Sequence, residues 1–360
     1  MNYSEKERGI IAADSFRELS YREKKLLLAS ENPDNDDRQK YADALIKMKG
    51  AGVYNKIRES FLDGGYRDEV IYGLERRNLQ CVTIKSADYP LQLKQISAPP
   101  LILYARGNRA LLSDRLFGVV GSRKILPQAY AEAVRVCSEL SEKLTLVTGV
   151  ADGGDSSAIS GAIEKGRVIS VLPAGHDAPC SANLGLLRRV EESGLTVSEY
   201  LPESKTTRYT FTLRNRIIAA LSDGVLVVSA GEDSGALSTA NYAADYSKDV
   251  FAFPYSVGVP SGVGCNKLIK NGAFLCDCAE DIFSVLGIES SKPAASDKLP
   301  DGLDETEKAV VKALREQGEL HAEMLAEAVN MNVAELVTVC AMLEIKGLIV
   351  RTGGNSFTAV

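Results

Sequence analysis

The chemistry most visible in this chain is the holding of an anion, carried by short stretches of glycine, hydroxyl residues and arginine. Gly121-Ser122-Arg123-Lys124 sets a residue without a side chain beside a hydroxyl and two cations. Glycine lets an anion reach the backbone, Ser122 offers an O–H, and a planar guanidinium such as that of Arg123 forks onto two phosphate oxygens. Gly149-Val-Ala-Asp-Gly-Gly-Asp155 leads into a helix starting at or just after Asp155, where free N–H groups attract anions. Ser234-Gly235-Ala-Leu-Ser-Thr239 is a second small-residue helix start. Further cations are Lys165 and Arg167 around Gly166, Arg214 and Arg216 around Asn215, and Lys267 with Lys270. No single stretch is specific. Gly-Ser-Arg also fits a strand-end turn with a surface arginine, and Arg214 and Arg216 also fit a helix cap or pairs with carboxylates such as Asp223. Convergence of these loops on one sheet edge is what makes a phosphate site.

Other chemistries fail on residue grounds. There is no G-x-x-x-x-G-K-[ST], which excludes the usual phosphate loop of nucleoside triphosphatases. Gly118-Val-Val-Gly121 does not fit G-x-G-x-x-G, and Thr148 ends the next strand where a ribose-binding acid would stand. The two histidines, His176 and His321, fall in separate domains, so a histidine-dependent triad would have to use His176. The ordinary loop histidine is the expectation. Glu199 ends a strand and is read as a carboxylate satisfied by neighbouring N–H groups rather than a general base. Seven cysteines at irregular spacing, with Cys276-x-Cys278 the nearest thing to a ligand pair, indicate buried thiols rather than a zinc module or a disulfide framework.

The elements that must position these loops alternate from Leu116 onward. Strands are expected at Leu116–Val120, Thr145–Thr148, Val168–Pro173, Thr196–Tyr200, Val225–Ala230, Val250–Pro254 and Phe274–Cys276. Helix-length segments (127–144, 155–165, 182–193, 211–221 and 234–246) lie between them. Strands joined by helical crossovers are parallel, and the unbroken apolar run Val225-Leu-Val-Val228 fits burial on both faces. The fold class is α/β, a Rossmann-like doubly wound parallel sheet spanning 81–289. Short strands at Cys81–Ile84 and Leu101–Tyr104 lead into it. Residues 1–80 read as a helical domain of the SAM or helix-hairpin-helix kind, with Tyr41, Leu45, Met48, Val53, Ile57 and Phe61 at helical spacing. A Ser/Lys/Pro/Asp-rich linker at 290–300 precedes residues 301–360, whose three helical stretches and terminal hairpin describe a winged helix.

Composition bounds the partners. A net charge of −6 argues against long-range attraction to duplex DNA or anionic membranes, leaving room for a local basic pocket. The last 61 residues hold ten acidic against five basic side chains. The expected recognition helix, Asn332–Lys346, bears Glu335 and Glu344 against Lys346 alone, unlike a major-groove reader. Protein contact or autoregulation is the better role for this domain. The charged start MNYSEKERG and the lack of a long apolar run make a cytoplasmic location the expectation.

In order along the chain, these motifs resemble the DNA-processing protein A family, also called DprA or Smf. The resemblance runs from Tyr89-Pro90-Leu91 and Gly107-Asn108 through Gly118-Val-Val-Gly-Ser-Arg123, Gly149…Gly153…Asp155…Ala158 and Val197-Ser-Glu-Tyr200. It continues in Arg214-Asn-Arg-Ile-Ile-Ala219, Ser234-Gly…Leu237…Thr239-Ala240 and Gly264…Asn266…Leu268-Ile269…Gly272-Ala273, covering about 200 residues. It implies a non-enzymatic protein, without cofactor or metal, that binds single-stranded DNA and helps load the RecA recombinase in natural transformation and recombination. It further implies a homodimer. On that pattern Arg123 and Arg167 are the strongest phosphate contacts, and Gly121, Ser122, Ser234, Gly235 and Thr239 line the pocket. Arg214 and Arg216 contact DNA or brace the loop, and Lys267 is a weaker contact. Leu268, Ile269 and Phe274 mark the self-association surface.

There are departures from the family pattern. Ala158-Ile159 replaces Ala-His, Thr212-Leu213 replaces a proline-containing lead, and Ser229 stands where an acid is common. Tyr255 replaces a glycine and Cys180 a proline. Of the aromatics nearest the arginines, Tyr209 and Phe211, the latter is expected to pack in the core. The same anion loops would also serve a nucleotide-binding sensor or an enzyme cleaving nucleoside monophosphates, although no Glu-bearing catalytic motif follows a Gly-Gly loop. A purely structural adaptor would leave the arginines unexplained.

Overall fold

The computed structural model describes residues 3–178, 183–289, 303–352 and 354–359. The chain divides into two compact units, Met1–Ile288 and Glu289–Val360. The linker expected at 290–300 and Cys180 lie outside the described residues.

The first unit is organised by one nine-stranded sheet. Its strands are β1 (Gln80–Thr83), β2 (Ile102–Gly107), β3 (Leu116–Gly121), β4 (Thr145–Thr148), β5 (Val168–Val171), β6 (Leu195–Ser198), β7 (Gly224–Ser229), β8 (Asp249–Ala252) and β9 (Phe274–Leu275). Their spatial order is β1-β2-β6-β5-β4-β3-β7-β8-β9. From β6 to β9 every pairing is parallel, as crossover helices require. All six residues of β7 are buried, which is why its sequence reads as an apolar run rather than an alternation. The chain winds from β3 out to β6, then returns to the other side of β3 with β7.

Sequence pattern alone did not show the mixed edge. The segments at 80–83 and 102–107 pair antiparallel with each other, and β2 pairs antiparallel with β6, extending the parallel sheet on that side. The pairing is long-range, and nothing local in those short runs specifies it.

Two cores cover the two faces. Helices Arg208–Leu221 and Ala236–Asp245 bring Ile217, Ile218, Leu221 and Ala240 onto one face, where they meet Val120, Val147, Val171 and Val227. Helices Pro127–Leu140 and Gly154–Ala162 supply Val136, Leu140, Ala158 and Ile159 to the other. Five helices precede β1: Glu5–Ser15, Tyr21–Ser30, Arg38–Lys49, Ala51–Leu62 and Gly64–Glu75. The first two start with capping boxes, Ser4 with Glu7 and Ser20 with Glu23, which satisfy N–H groups left free at a helix start. Gly50, at φ +87°, breaks the helical run through 38–61 into two. Ile10, Ile11, Ile71 and Leu74 pack against Cys81, Ile102 and Tyr104 of β1 and β2, so residues 1–80 share a compact unit with the sheet.

The second unit has helices Glu305–Gln317, Ala322–Ala328 and Val333–Ile345. Its small sheet is ordered β10 (Leu320–His321), β12 (Ser356–Ala359), β11 (Ile349–Arg351). Val310, Val311, Leu325, Leu336, Leu343 and Phe357 form its core. The expected three helices and hairpin are present, with β10 as an addition that two residues could not announce. Among the described residues no single helix is long and apolar enough to cross a membrane.

The tightest joint in the first unit is between backbones. A Cβ on Gly121 would fall 2.8 Å from Gly154 Cα, and one on Gly154 would overlap Gly121 itself. The Gly154 N–H donates to the Ser122 carbonyl at 3.1 Å across this contact. Gly154→Ala is therefore expected to destabilise the protein by about 1–3 kcal/mol, as overpacking does. Gly185, on the helix Leu184–Ser193, has open space where its Cβ would go. Gly185→Ala should leave the melting temperature unchanged or raised, and thermal melts of the two variants side by side check this contrast.

His176 is buried at 4% exposure, with Nε2 3.1 Å from the Thr196 hydroxyl. Burial, reinforced by the nearby Arg106 charge, lowers its imidazole pKa to about 3. It stays neutral in the fold and offers no exposed base. Because the unfolded chain protonates this histidine near about 6.5, the unfolded state binds more protons below that pH. The contribution is present above about 6.5 and lost as pH falls toward 3. Chemical denaturation should show wild type losing about 2 kcal/mol more than His176→Gln between about pH 6.5 and 5.

Candidate functional site

A pocket of about 360 Å³ opens where β3 and β7 end side by side and the chain winds away from them in opposite directions. That is the crevice an open α/β sheet leaves for ligands. Four segments wall it: Val120–Arg123, Ala151 with Asp155, Ser234–Ala236 with Thr239, and Phe211, Thr212, Arg214, Asn215 and Ile218 from one helix.

Each wall has a local cause. The register of β3 against β7 shifts between Val120 and Gly121, and the Ser122 N–H then donates to the Ser229 carbonyl at 2.7 Å. This turns Ser122 and Arg123 out of the sheet. The Ser122 hydroxyl accepts the Lys124 N–H at 3.2 Å, closing a tight turn. Gly153 takes φ +81°, and a Cβ there would strike the Ser122 carbonyl, so the loop ahead of helix Gly154–Ala162 needs glycine twice over. Asn215 donates to the Ser238 hydroxyl at 2.7 Å and the Gly235 carbonyl at 3.3 Å, fixing the Ser234-Gly235 loop to the neighbouring helix.

The floor is a buried ion pair. Arg214, 4% exposed, donates through Nη1 to the Val171 carbonyl at 2.8 Å, and its Nη2 lies 4.0 Å from Asp155 Oδ2. Asp155 also accepts the Ala151 N–H at 3.2 Å. Burial pushes the Asp155 carboxyl up, opposed by the Arg214 charge. Burial likewise lowers Arg214, which Asp155 offsets. A side chain on Gly149 would collide with both partners, so the glycine makes room for the pair. At the mouth, exposed Arg123 lies 5.1 Å from the centroid of the half-buried Phe211 ring. A cation on an aromatic face holds both in place while leaving the guanidinium edge open to solvent.

The residues expected at the site divide. Gly121, Ser122, Arg123, Arg214, Ser234, Gly235 and Thr239 all line the pocket. Three do not. Arg167 precedes β5 at the amino edge of the sheet, opposite the pocket, where it meets the Glu142 carbonyl at 3.0 Å and Asp114 at 3.5 Å. Its placement is corrected accordingly: residues before a strand and residues after one lie at opposite sheet edges. Arg216, two positions from Arg214, points elsewhere and is bound to the carboxylate of Glu199 in a second buried pair. The carboxylate partners of the two arginines are thus Asp155 and Glu199, while Asp223 pairs with Arg115 at 2.9 Å. Lys267 is exposed on the helix Val263–Lys270, outside the pocket lining.

Phe211 corrects the expectation of a core residue, since it forms part of the wall beneath Arg123. Asn215 was legible only as the middle of Arg-Asn-Arg, although its flanking arginines already marked the turn that faces the pocket. Leu268 and Ile269 pack partly into the core, whereas Phe274, on the edge strand β9, is 44% exposed and stacks on Phe251. Cys276 is buried and donates to the Cys278 carbonyl. Asp281 uses its carboxylate to accept the N–H groups of Asp277 and Cys278 at the start of Ala279–Val285.

Comparison with known proteins follows the same boundaries. The family model described as DNA recombination-mediator protein A matches residues 80–287, and that of the DprA winged helix domain matches 292–355. The DNA processing protein DprA of Bacillus subtilis is 36% identical over 247 residues, 67% of this chain and 81% of the relative. Protein Smf of Escherichia coli is 30% identical over 335 residues, 88% of each chain. The X-ray structure of DprA from Streptococcus pneumoniae aligns with a TM-score of 0.66 at 28% identity, covering 81% of this chain and all of that one. DNA processing protein A from Helicobacter pylori, described with a single-stranded DNA binding mode, aligns with a TM-score of 0.53 at 26% identity over 57% of this chain and 95% of that one. The first family match spans the whole sheet and every residue of the pocket, and by it this chain belongs to the DNA recombination-mediator protein A family.

Proposed function

We propose that the protein binds single-stranded DNA in the pocket at the ends of β3 and β7. We further propose that it assists loading of the RecA recombinase in natural transformation and recombination, without catalytic chemistry of its own. One observation carries the binding reading: an exposed arginine, Arg123, laid on Phe211 over backbone loops opened by Gly121, Gly153 and Gly154. A cation beside an aromatic face is the pairing that holds a strand without regard to sequence, charge on phosphate and ring on base. The relative from Helicobacter pylori supports it. Against an enzyme stands the state of the one acid in the pocket. Asp155 is held between Arg214 and the Ala151 N–H and is not free to take a substrate proton. The homodimer is proposed to use the β9 edge, where Phe274 and Leu275 are exposed.

Fluorescence anisotropy with labelled oligo-dT tests the reading. Arg123→Ala should weaken binding at least about tenfold, the loss expected from a charge-assisted bond worth about 1.5–3 kcal/mol. An oligonucleotide only about three residues long carries two internal phosphates, which Arg123 and its neighbour Lys124 are proposed to meet. The slope of log affinity against log salt should then be about −1.4, from roughly 0.7 per phosphate. Affinity unchanged in the variant would count against the pocket as the DNA site, and full competition by a free deoxynucleoside monophosphate would point instead to a mononucleotide site.

The second unit forms its own core, and the helix Val333–Ile345 carries Glu335 in its first turn. A fragment spanning 300–360 should show no measurable duplex binding by the same assay at moderate salt.

A further inference from the structure

We infer that single-stranded DNA leaving the pocket runs along the carboxyl edge of the sheet and is gripped a second time, in a groove between the N-terminal helices and the segment after β6. This rests on the pocket reading above. The groove encloses about 920 Å³, and Arg17, Tyr66, Tyr72, Arg76, Arg77 and Glu203 are among its lining residues. It opens on the same edge as the pocket, because Leu201, Pro202 and Glu203 follow the carboxyl end of β6 and Tyr104 pairs with Ser198 there. Two strands separate β6 from β3, so the two sites lie about 14 Å apart along the edge.

Two independent features point to a strand of nucleic acid. The first is a repeat of the arrangement at the pocket mouth: Arg76 lies 5.9 Å from the centroid of Tyr72, whose side chain is 61% exposed. The second is the stretch that joins the sites. Lys205, Arg208 and Tyr209 are exposed, lie between Glu203 of the groove and Phe211 of the pocket, and Tyr209 is 71% exposed. Among the described residues, Arg76, Lys205 and Arg208 have no carboxylate within ion-pair distance. Arg17 and Arg77 differ, since both bind Glu203 and Arg77 also binds Asp177 at 2.9 Å. Those two arginines neutralise the groove's acids and shape its wall, with Glu69 left as the remaining acidic lining residue. The result is a line of free cations interleaved with exposed aromatic rings, the composition that binds single strands with little sequence preference.

Anisotropy on the full chain, with labelled oligo-dT of about three nucleotides, too short to span both sites, and of about twenty-five, tests this. Wild type should bind the longer strand more tightly and with a steeper salt dependence. The triple variant Arg76→Ala, Lys205→Ala, Arg208→Ala should keep its affinity for the short strand within about twofold. It should lose about tenfold or more on the long one, and the salt slope for the long strand should shrink by about 2, from roughly 0.7 for each of three phosphates. The charge-retaining variant Arg76→Lys, Arg208→Lys should keep the wild-type slope. If Arg123→Ala weakens both strands while the triple variant weakens neither, the second grip is overturned and the pocket reading stands. The groove would then suit a protein partner. If Arg123→Ala leaves the short strand unaffected, the pocket reading itself fails.

Discussion

The structure of the site hangs on one close approach, the backbone of Gly121 at the end of β3 against that of Gly154 at the start of a helix. No side chain fits at either position. The contact lets the Gly154 N–H reach the Ser122 carbonyl, and this bond fixes where the β3 loop turns away from the sheet. Everything else in the pocket is placed relative to that joint. Gly153 needs its left-handed conformation to make the approach, and Asp155, one residue past the joint, is thereby aimed at Arg214. Gly149 in turn leaves the space in which that pair sits. The glycines are geometric requirements, whatever the ligand.

The arginines divide into two kinds by burial. Arg214 and Arg216 are both more than nine-tenths buried, each beside its own carboxylate. Removing one member of such a pair strands a charge in a poorly solvated place, which is costly, while the intact pair itself adds little net stability. They brace the strand ends. Arg123 is the other kind, exposed, resting on a ring, and able to exchange water for phosphate with little rearrangement. An Arg-Asn-Arg triplet can look like a phosphate clamp, yet here both of its arginines face inward and its asparagine ties the opposite loop.

Much of the architecture was legible because the parallel strands are short apolar runs separated by helix-length segments, and this pattern is local. The seven strands from Leu116 to Leu275 fell within a few residues of their expected places. Pocket residues at strand ends were legible for the same reason, since Gly121, Ser122 and Arg123 follow a strand by sequence alone. Arg167 was misplaced because proximity to a strand was read without its direction. Phe211 could not be assigned from pattern: a helix that lies across the mouth of a pocket has a face that is neither core nor solvent. The antiparallel pairing of β2 with β6 joins residues about ninety apart, and the first and fifth helices pack onto β1 and β2 at that edge.

The two ends of the sheet differ. At β1 the outward Cys81 N–H donates to the Tyr3 hydroxyl at 3.0 Å and the Cys81 carbonyl accepts from Arg109, so side chains occupy the groups an added strand would need. At the other end, β9 is two residues long, with no strand beyond it among the described residues and Phe274 and Leu275 half-exposed. A sheet blocked at one side and open at the other behaves like a monomer unit with a single reactive end. Were two such units joined edge to edge about a two-fold axis, both open ends would be consumed and growth into a filament would have no site from which to continue.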